Sequence, residues 1–193
     1  MRLYIGATRQ NDGKTVLSLG LFKALSKRLK PMGYIKPVGQ QYLEIGDRKI
    51  DKDVVLMSGI YNLKDDLSDM SPIAIPRGFT ENYINRPDEK KLHNKILSSF
   101  RNIHSDKQMT LIEGTGHAGV GSVFDLSNAE VARLLEAKVI MVALGGVGRP
   151  IDEILLNKAM FDQKGIEILG VIINKVKKDK YDKINRLVRK SLH

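Results

Sequence analysis

Short apolar runs alternate along the chain with longer stretches whose apolar residues recur every three or four positions. Leu3-Tyr4-Ile5 opens the series as a strand. Residues 14–29 follow, with Val16, Leu17, Leu19, Leu21, Phe22, Leu25 and Leu29 at helical spacing. Gly33-Tyr34-Ile35-Lys36-Pro37-Val38 reads as a second strand closed by proline, and residues 51–60 read as a short helix. Residues 61–86 carry no clear period. Within them Met70-Ser71-Pro72-Ile73-Ala74-Ile75-Pro76 is extended, since proline excludes helix there. Pro87 opens a helix running to residue 103. A buried-type strand at 109–112, a helix at 128–135 capped by Ser127, and a strand at 138–144 come next. Pro150 starts a helix to residue 163, and residues 166–173 form the last strand. Strands separated by helices at this interval predict right-handed crossovers and a mostly parallel sheet. The unbroken apolar run Val139-Ile140-Met141-Val142-Ala143-Leu144 suits a strand buried on both faces. The expected class is α/β, with helices on both faces of the sheet.

Composition narrows this picture without redirecting it. A chain of 193 residues suits one domain, and 42% hydrophobic against 28% charged residues argues against disorder throughout. No repeat, low-complexity segment or linker divides it. There is no cysteine, which excludes disulfides, thiolate metal sites and cysteine nucleophiles. No apolar run approaches the roughly 20 residues of a membrane span, and the N-terminus lacks the features of a signal peptide. The expected compartment is the cytoplasm, with no membrane partner.

The net charge of +10 raises the question of nucleic acid. Its location answers it. Residues 175–193 hold eight Lys or Arg against two Asp, a net of +6, leaving +4 for everything else. Residues 177–193 are read as a basic C-terminal helix or tail, solvated or docking a protein partner; nucleic acid is not expected.

The chemistry starts where the first strand ends. Gly6-Ala7-Thr8-Arg9-Gln10-Asn11-Asp12-Gly13-Lys14-Thr15 runs directly into an amphipathic helix. The phosphate-loop pattern G-x-x-x-x-G-K-[ST] is met by Gly13, Lys14 and Thr15, with Thr8 at the first glycine position. Backbone N–H groups of this stretch can wrap a β-phosphate, and the helix N-terminus adds partial positive charge. Asn11, Asp12, Gly13, Lys14, Thr15 and Val16 form the expected nucleotide-binding set. Lys14 would reach the terminal phosphates and Thr15 a Mg²⁺ ion. The sheet is thus expected to be of the P-loop NTPase type.

A phosphate loop needs acidic partners for its metal. Glu113 ends a buried strand ahead of Gly114-Thr115-Gly116, and ligands of open α/β sheets gather at strand carboxyl ends. Asp53 is a second candidate, for which helix capping is the alternative. Lys36 interrupts an otherwise apolar strand. It is placed either to neutralise a transferring phosphate or to send its head to water over a packed stem.

Gly6 to Thr15, Gly33 to Val38, Glu113-Gly114-Thr115-Gly116 and Ile172-Ile173-Asn174-Lys175 together resemble dethiobiotin synthetase in order and spacing. They are similar also to the synthetase-like N-terminal domains of some phosphate acetyltransferases, a match strengthened by Met70-Ser71-Pro72 and Arg77-Gly78-Phe79-Thr80. The resemblance covers residues 2–176, taken as one domain spanning 1–176. It implies a homodimeric fold that binds ATP and Mg²⁺. Thr15, Asp53 and Glu113 would surround the metal, and Lys14 would hold the terminal phosphates. Lys36 would stabilise phosphate on a carboxylated amine, making it and Lys14 the catalytic pair. Asn174 would read the adenine edge.

The chain also departs from that family. Asn11 replaces an acidic residue of the loop, and Gln40 and Gln41 stand where a small hydroxyl residue follows Lys-Pro-Val. The synthetase continues through a further strand and a base-enclosing loop, which implies a more open adenine pocket here or a piece of a longer protein. Arg9 stands near the place of a second, subunit-crossing lysine in partitioning-type ATPases, where a solvent-facing arginine is the simpler expectation. His117 has no second histidine at ligand spacing; His93, His104 and His193 lie in helical or terminal contexts. Gly145-Gly146-Val147-Gly148-Arg149-Pro150 reads as a loop at the cleft or a dimer interface, with Arg149 open to an anion. Three functions follow. The leading one is a nucleotide-sensing regulatory module. The others are an ATP-dependent ligase phosphorylating a small carboxylate or carbamate of an amine substrate, and a partitioning-type ATPase with a docking tail.

Overall fold

A computed structural model describes residues 1–192, so His193 lies outside the described residues. In chain order, β1 (Arg2–Ala7) leads through the phosphate loop into α1 (Lys14–Leu25) and β2 (Met32–Ile35). The short β3 (Val38–Gly39) and a hairpin of β4 (Tyr42–Ile45) and β5 (Arg48–Asp51) precede α2 (Lys52–Tyr61). Then come α3 (Leu67–Met70), β6 (Ile73–Ala74), α4 (Phe79–Asn85) and α5 (Glu89–His104). The second half runs β7 (Met109–Glu113), α6 (Asn128–Leu134), β8 (Lys138–Leu144), α7 (Arg149–Gln163), β9 (Ile168–Asn174) and α8 (Tyr181–Leu192).

Five of these strands form one parallel sheet in the order β2-β7-β1-β8-β9. Every residue of β7 is buried, as is all of β1 after Arg2, so helices cover both faces at the centre. Tyr4, Ile5, Tyr34, Ile35, Leu111, Ile112 and Val139 fill the core. Each such side chain contributes roughly 1.5–3 kcal/mol of burial free energy. At the far edge β9 is only partly covered: α8 lies against α7 and buries Val188 alone. Within the basic tail, residues Tyr181–Leu192 are helical. No helix among the described residues is long and apolar enough to cross a membrane.

Two local expectations change. The second strand does not run through Val38. Pro37 has no N–H to donate, the Lys36 N–H donates to the Met70 carbonyl, and the chain leaves the central sheet after Ile35. Val38 and Gly39 pair instead with Ile73 and Ala74. The first helix stops at Leu25 rather than Leu29, with Ser26 as its C-cap, and residues 26–28 continue as turns. Beyond β3, β4 and β5 form a hairpin over a two-residue Gly46-Asp47 turn, with Ile45 opposite Arg48.

Parallel register puts the carboxyl ends of β2, β7, β1 and β9 on one edge. Glu113 and Asn174 are the last residues of β7 and β9, and Lys36 and the phosphate loop follow the ends of β2 and β1 directly.

Candidate nucleotide-binding cleft

The loop after β1 is tied together from within. Asp12, buried, accepts from the Thr8 hydroxyl at 2.7 Å and from the Arg9 N–H at 2.8 Å. Thr8 thus replaces the usual glycine without strain: its φ is not positive, and its side chain holds the loop's own carboxylate. The left-handed turns fall at Asn11 (φ 66°) and Gly13 (φ 108°). A side chain at Gly13 would collide with the Asn174 amide as well as strain the backbone. These turns leave the amides ahead of α1 unpaired at a helix N-terminus, a cradle for anions.

A cleft of about 520 Å³ opens there, lined by Asn11, Gly13, Lys14, Thr15, Lys36, Asp53, Glu113 and Asn174 among others. Val16 lines its lip from the first turn of α1. Of the candidate nucleotide set only the Asp12 side chain turns away, into the loop. Lys14 is 8% exposed and donates to the Gly116 carbonyl at 3.4 Å. Thr15 donates to Glu113 Oε1 at 2.9 Å, and the Tyr34 hydroxyl donates to Glu113 Oε2 at 3.0 Å. Lys36 is 7% exposed and forms ion pairs with Asp53 and, at 3.0 Å, with Asp51. Its ammonium therefore does not reach water; it lies inside the cleft.

These charges set one another's proton affinity. Burial pushes the Glu113 carboxyl above its ordinary range; Asp53 adds to this, while Lys36 and the Thr15 hydroxyl oppose it. Burial pulls Lys14 below the usual lysine value, with Glu113 opposing. Burial acts on Lys36 in the same sense, but Asp51, Glu113 and Asp53 outweigh it and hold Lys36 above the usual value. The Tyr34 hydroxyl is raised by burial and by the neighbouring Glu113 charge, so it stays a donor.

No group of three or more His, Cys, Asp or Glu side chains that could hold a metal occurs among the described residues. Thr15, Glu113 and Asp53 offer one hydroxyl and two carboxylates around a cleft with room for phosphate oxygens. Such an all-oxygen set with few protein ligands suits Mg²⁺, which keeps waters and phosphate in its shell.

Several contributors are not apparent from the sequence alone. Asp51 is buried beside Asp53, and its one sequence signal is that it stands two residues upstream of that acid. Tyr34 has the apolar neighbours of a core residue. Lys175 donates to the Asn11 carbonyl and Asn174 to the Asp12 carbonyl, both at 2.8 Å. The loop after β9 thereby staples the phosphate loop, and the Asn174 Oδ1 accepts from the Lys175 N–H. Asn128 accepts from Tyr4 and from the Thr115 N–H, bracing the strand end after Glu113.

Other expectations shift. Arg9 does not face solvent freely, for Glu153 holds its guanidinium at 3.1 Å. Glu153 also pairs with Arg149 at 2.6 Å, and the glycine loop at 145–148 does not line the cleft. His117 is exposed beside Gly116, while His104 bonds Thr110 away from the cleft.

Known proteins match this arrangement. A family model described as an AAA domain covers residues 1–192. The ATP-dependent dethiobiotin synthetase BioD of Methanocaldococcus jannaschii is 30% identical over 179 residues, spanning 89% of this chain and 78% of that protein. A phosphate acetyltransferase of Synechocystis is 24% identical over 181 residues, which is 90% of this chain but only 25% of that protein. Among solved structures, a putative plasmid partition protein from Borrelia burgdorferi bound to AMPPNP superposes with a TM-score of 0.57 at 12% identity, covering 94% of this chain and 77% of that one. A GTPase from Pyrococcus abyssi gives 0.52 at 16% identity, covering 96% and 72%. The two solved structures speak for the fold alone. With the sheet order, the phosphate loop and the sequence kinship in agreement, the chain belongs to the AAA-domain P-loop family of the dethiobiotin synthetase type.

Proposed function

We propose that the cleft binds ATP with Mg²⁺ and supports phosphoryl transfer of the dethiobiotin synthetase type to a small carboxylate or carbamate. One observation carries this reading: two buried ammoniums, Lys14 and Lys36, share a single cleft with Glu113 and Asp53. Binding a nucleotide needs Lys14 and the loop amides. A second buried lysine, held just past the end of β2, two strands away from β1 in the sheet, is more than binding requires.

The roles follow from charge. A carboxylate oxygen of the substrate attacks the γ-phosphorus, the bond to the bridging oxygen breaks, and ADP departs with the electron pair. An amine then displaces inorganic phosphate. Lys14, with the amides of residues 12–15, offsets charge gathering on the leaving oxygens. Gln40, Gln41 and Thr115 line the same cleft as Lys36, and an acceptor carboxylate would lie beside that ammonium. Mg²⁺, when bound, would draw charge from the phosphate oxygens; Thr15, Asp53 and Glu113 would hold it. Asn174 would read adenine with its second N–H and the remaining lone pair of its Oδ1, while it holds the Asp12 carbonyl. Exposed Val16 at the lip, with Leu56 and Ile60 on α2, gives a second copy of the chain an apolar surface to cover.

A second reading, nucleotide sensing without chemistry, draws support from Gln40 and Gln41 and from the acetyltransferase alignment. One assay separates the two. The protein is incubated with Mg²⁺, ATP, bicarbonate and a diamino carboxylic acid, and ADP and cyclised product are followed. Substrate-dependent ADP release supports ligation. Saturable ATP binding with no ADP release overturns it and leaves sensing.

A further inference from the structure

We propose that Asp51 is a positioning residue that keeps hold of Lys36 when a magnesium ion claims Asp53; this rests on the magnesium–nucleotide reading above. Three features carry it. First, the Lys36 ammonium sits directly on Asp53, one of the carboxylates available to the metal, so metal and lysine compete for one group. Second, Lys36 has a second anchor outside the set proposed to hold the metal. Asp51 Oδ1 lies 3.0 Å from its Nζ and is 1% exposed. Third, Asp51 is itself immobile. Its N–H donates to the Ser71 hydroxyl, its Oδ1 accepts from the Asp53 N–H as the cap of α2, and its Oδ2 has no partner among the described residues. That free oxygen lies where a Cβ on Gly39 would approach within 2.6 Å, so glycine at 39 gives the carboxylate its room.

The consequence is an exchange of cations. A lysine pulled from Asp53 with nowhere to go would be a buried, unpaired charge, which is costly. Asp51 supplies the remaining partner through its Oδ1, and its Oδ2 has capacity for a further N–H. The ammonium then stays beside the metal site instead of blocking it.

The test is calorimetric titration of the full chain with a non-hydrolysable ATP analogue, with Mg²⁺ and with EDTA, so no turnover is needed. The wild type, Asp51→Asn, Lys36→Met and the double variant are compared. Asn and the alternative Asp51→Ser both retain a cap for α2, so one of them serves if the other misfolds. The expected result is that Asp51→Asn weakens the Mg²⁺-dependent part of the affinity by about tenfold, about 1.4 kcal/mol, because Lys36 then clings to Asp53. Lys36→Met should restore it in the Asp51→Asn background. A purely structural role for Asp51 would leave the loss in place in both backgrounds, and that result overturns the exchange. So does a wild-type affinity in Asp51→Asn. A wild-type chain that binds no magnesium nucleotide at all removes the underlying reading, and the exchange with it.

Discussion

The molecule carries two groups of basic residues, and they are built in opposite ways. In the cleft, Lys14 and Lys36 are buried among Glu113, Asp51 and Asp53. On α8, Lys183, Arg186, Arg189 and Lys190 stand in solvent, and Arg189 donates to the Asn185 amide of its own helix. Burying an ammonium costs several kcal/mol unless anions match it, whereas a solvated one costs almost nothing. Residues 175–193 supply more than half of the net charge, yet the two cleft lysines say more about chemistry. The lesson is that matched, buried charge marks a working site, while charge count marks only a surface.

Substitutions can break this contrast at its strongest point first. Lys14→Ala should lower nucleotide affinity about a thousandfold, near 4 kcal/mol, in calorimetric titration, with the fold intact by circular dichroism. Unchanged affinity would put Lys14 on a par with the α8 lysines. Tyr34→Phe removes a donor from the buried Glu113 and should cost about 1–3 kcal/mol in denaturant unfolding. A neutral result would mean that Glu113 is not held by its buried partners.

Glu130 tests an intermediate case, an ion pair near the surface. The Arg133 guanidinium at 2.5 Å, with Lys164 at 2.8 Å, holds its carboxyl at about 2 despite partial burial. Its folded value is depressed, so its stabilisation is complete above the ordinary value of 4.5 and is lost as pH falls toward 2. Glu130→Gln should cost about 1–2 kcal/mol near neutrality, and the gap from wild type should close in acid melts. A gap independent of pH would contradict the pairing. Smallest of all, Lys183→Ala and Arg186→Ala should each change stability by no more than about 0.5 kcal/mol.

Much of the fold and of the cradle is legible in the amino-acid sequence. Strands with continuous apolar runs, such as 138–144, and helices with caps, such as 128–135 behind Ser127, declare themselves, and Gly13-Lys14-Thr15 announces the phosphate site. Residues 61–86 do not, since α3 spans four residues and α4 seven, too few for a helical period to register. The split at Lys36-Pro37 is hidden because the partner of Val38 lies at Ile73, far along the chain. Asp51 is hidden for a related reason. As a cap it looks local, and only the fold reveals that Lys36 shares it.

The central claim is that the amides ahead of α1, with Lys14, hold the phosphates of a nucleotide. A crystal structure with a non-hydrolysable ATP analogue and Mg²⁺ tests it most directly. The account predicts the β-phosphate against the N–H groups of residues 12–15, with the metal bound by the Thr15 hydroxyl on the Glu113 side. A nucleotide seated elsewhere, with the loop empty under saturating conditions, would contradict it.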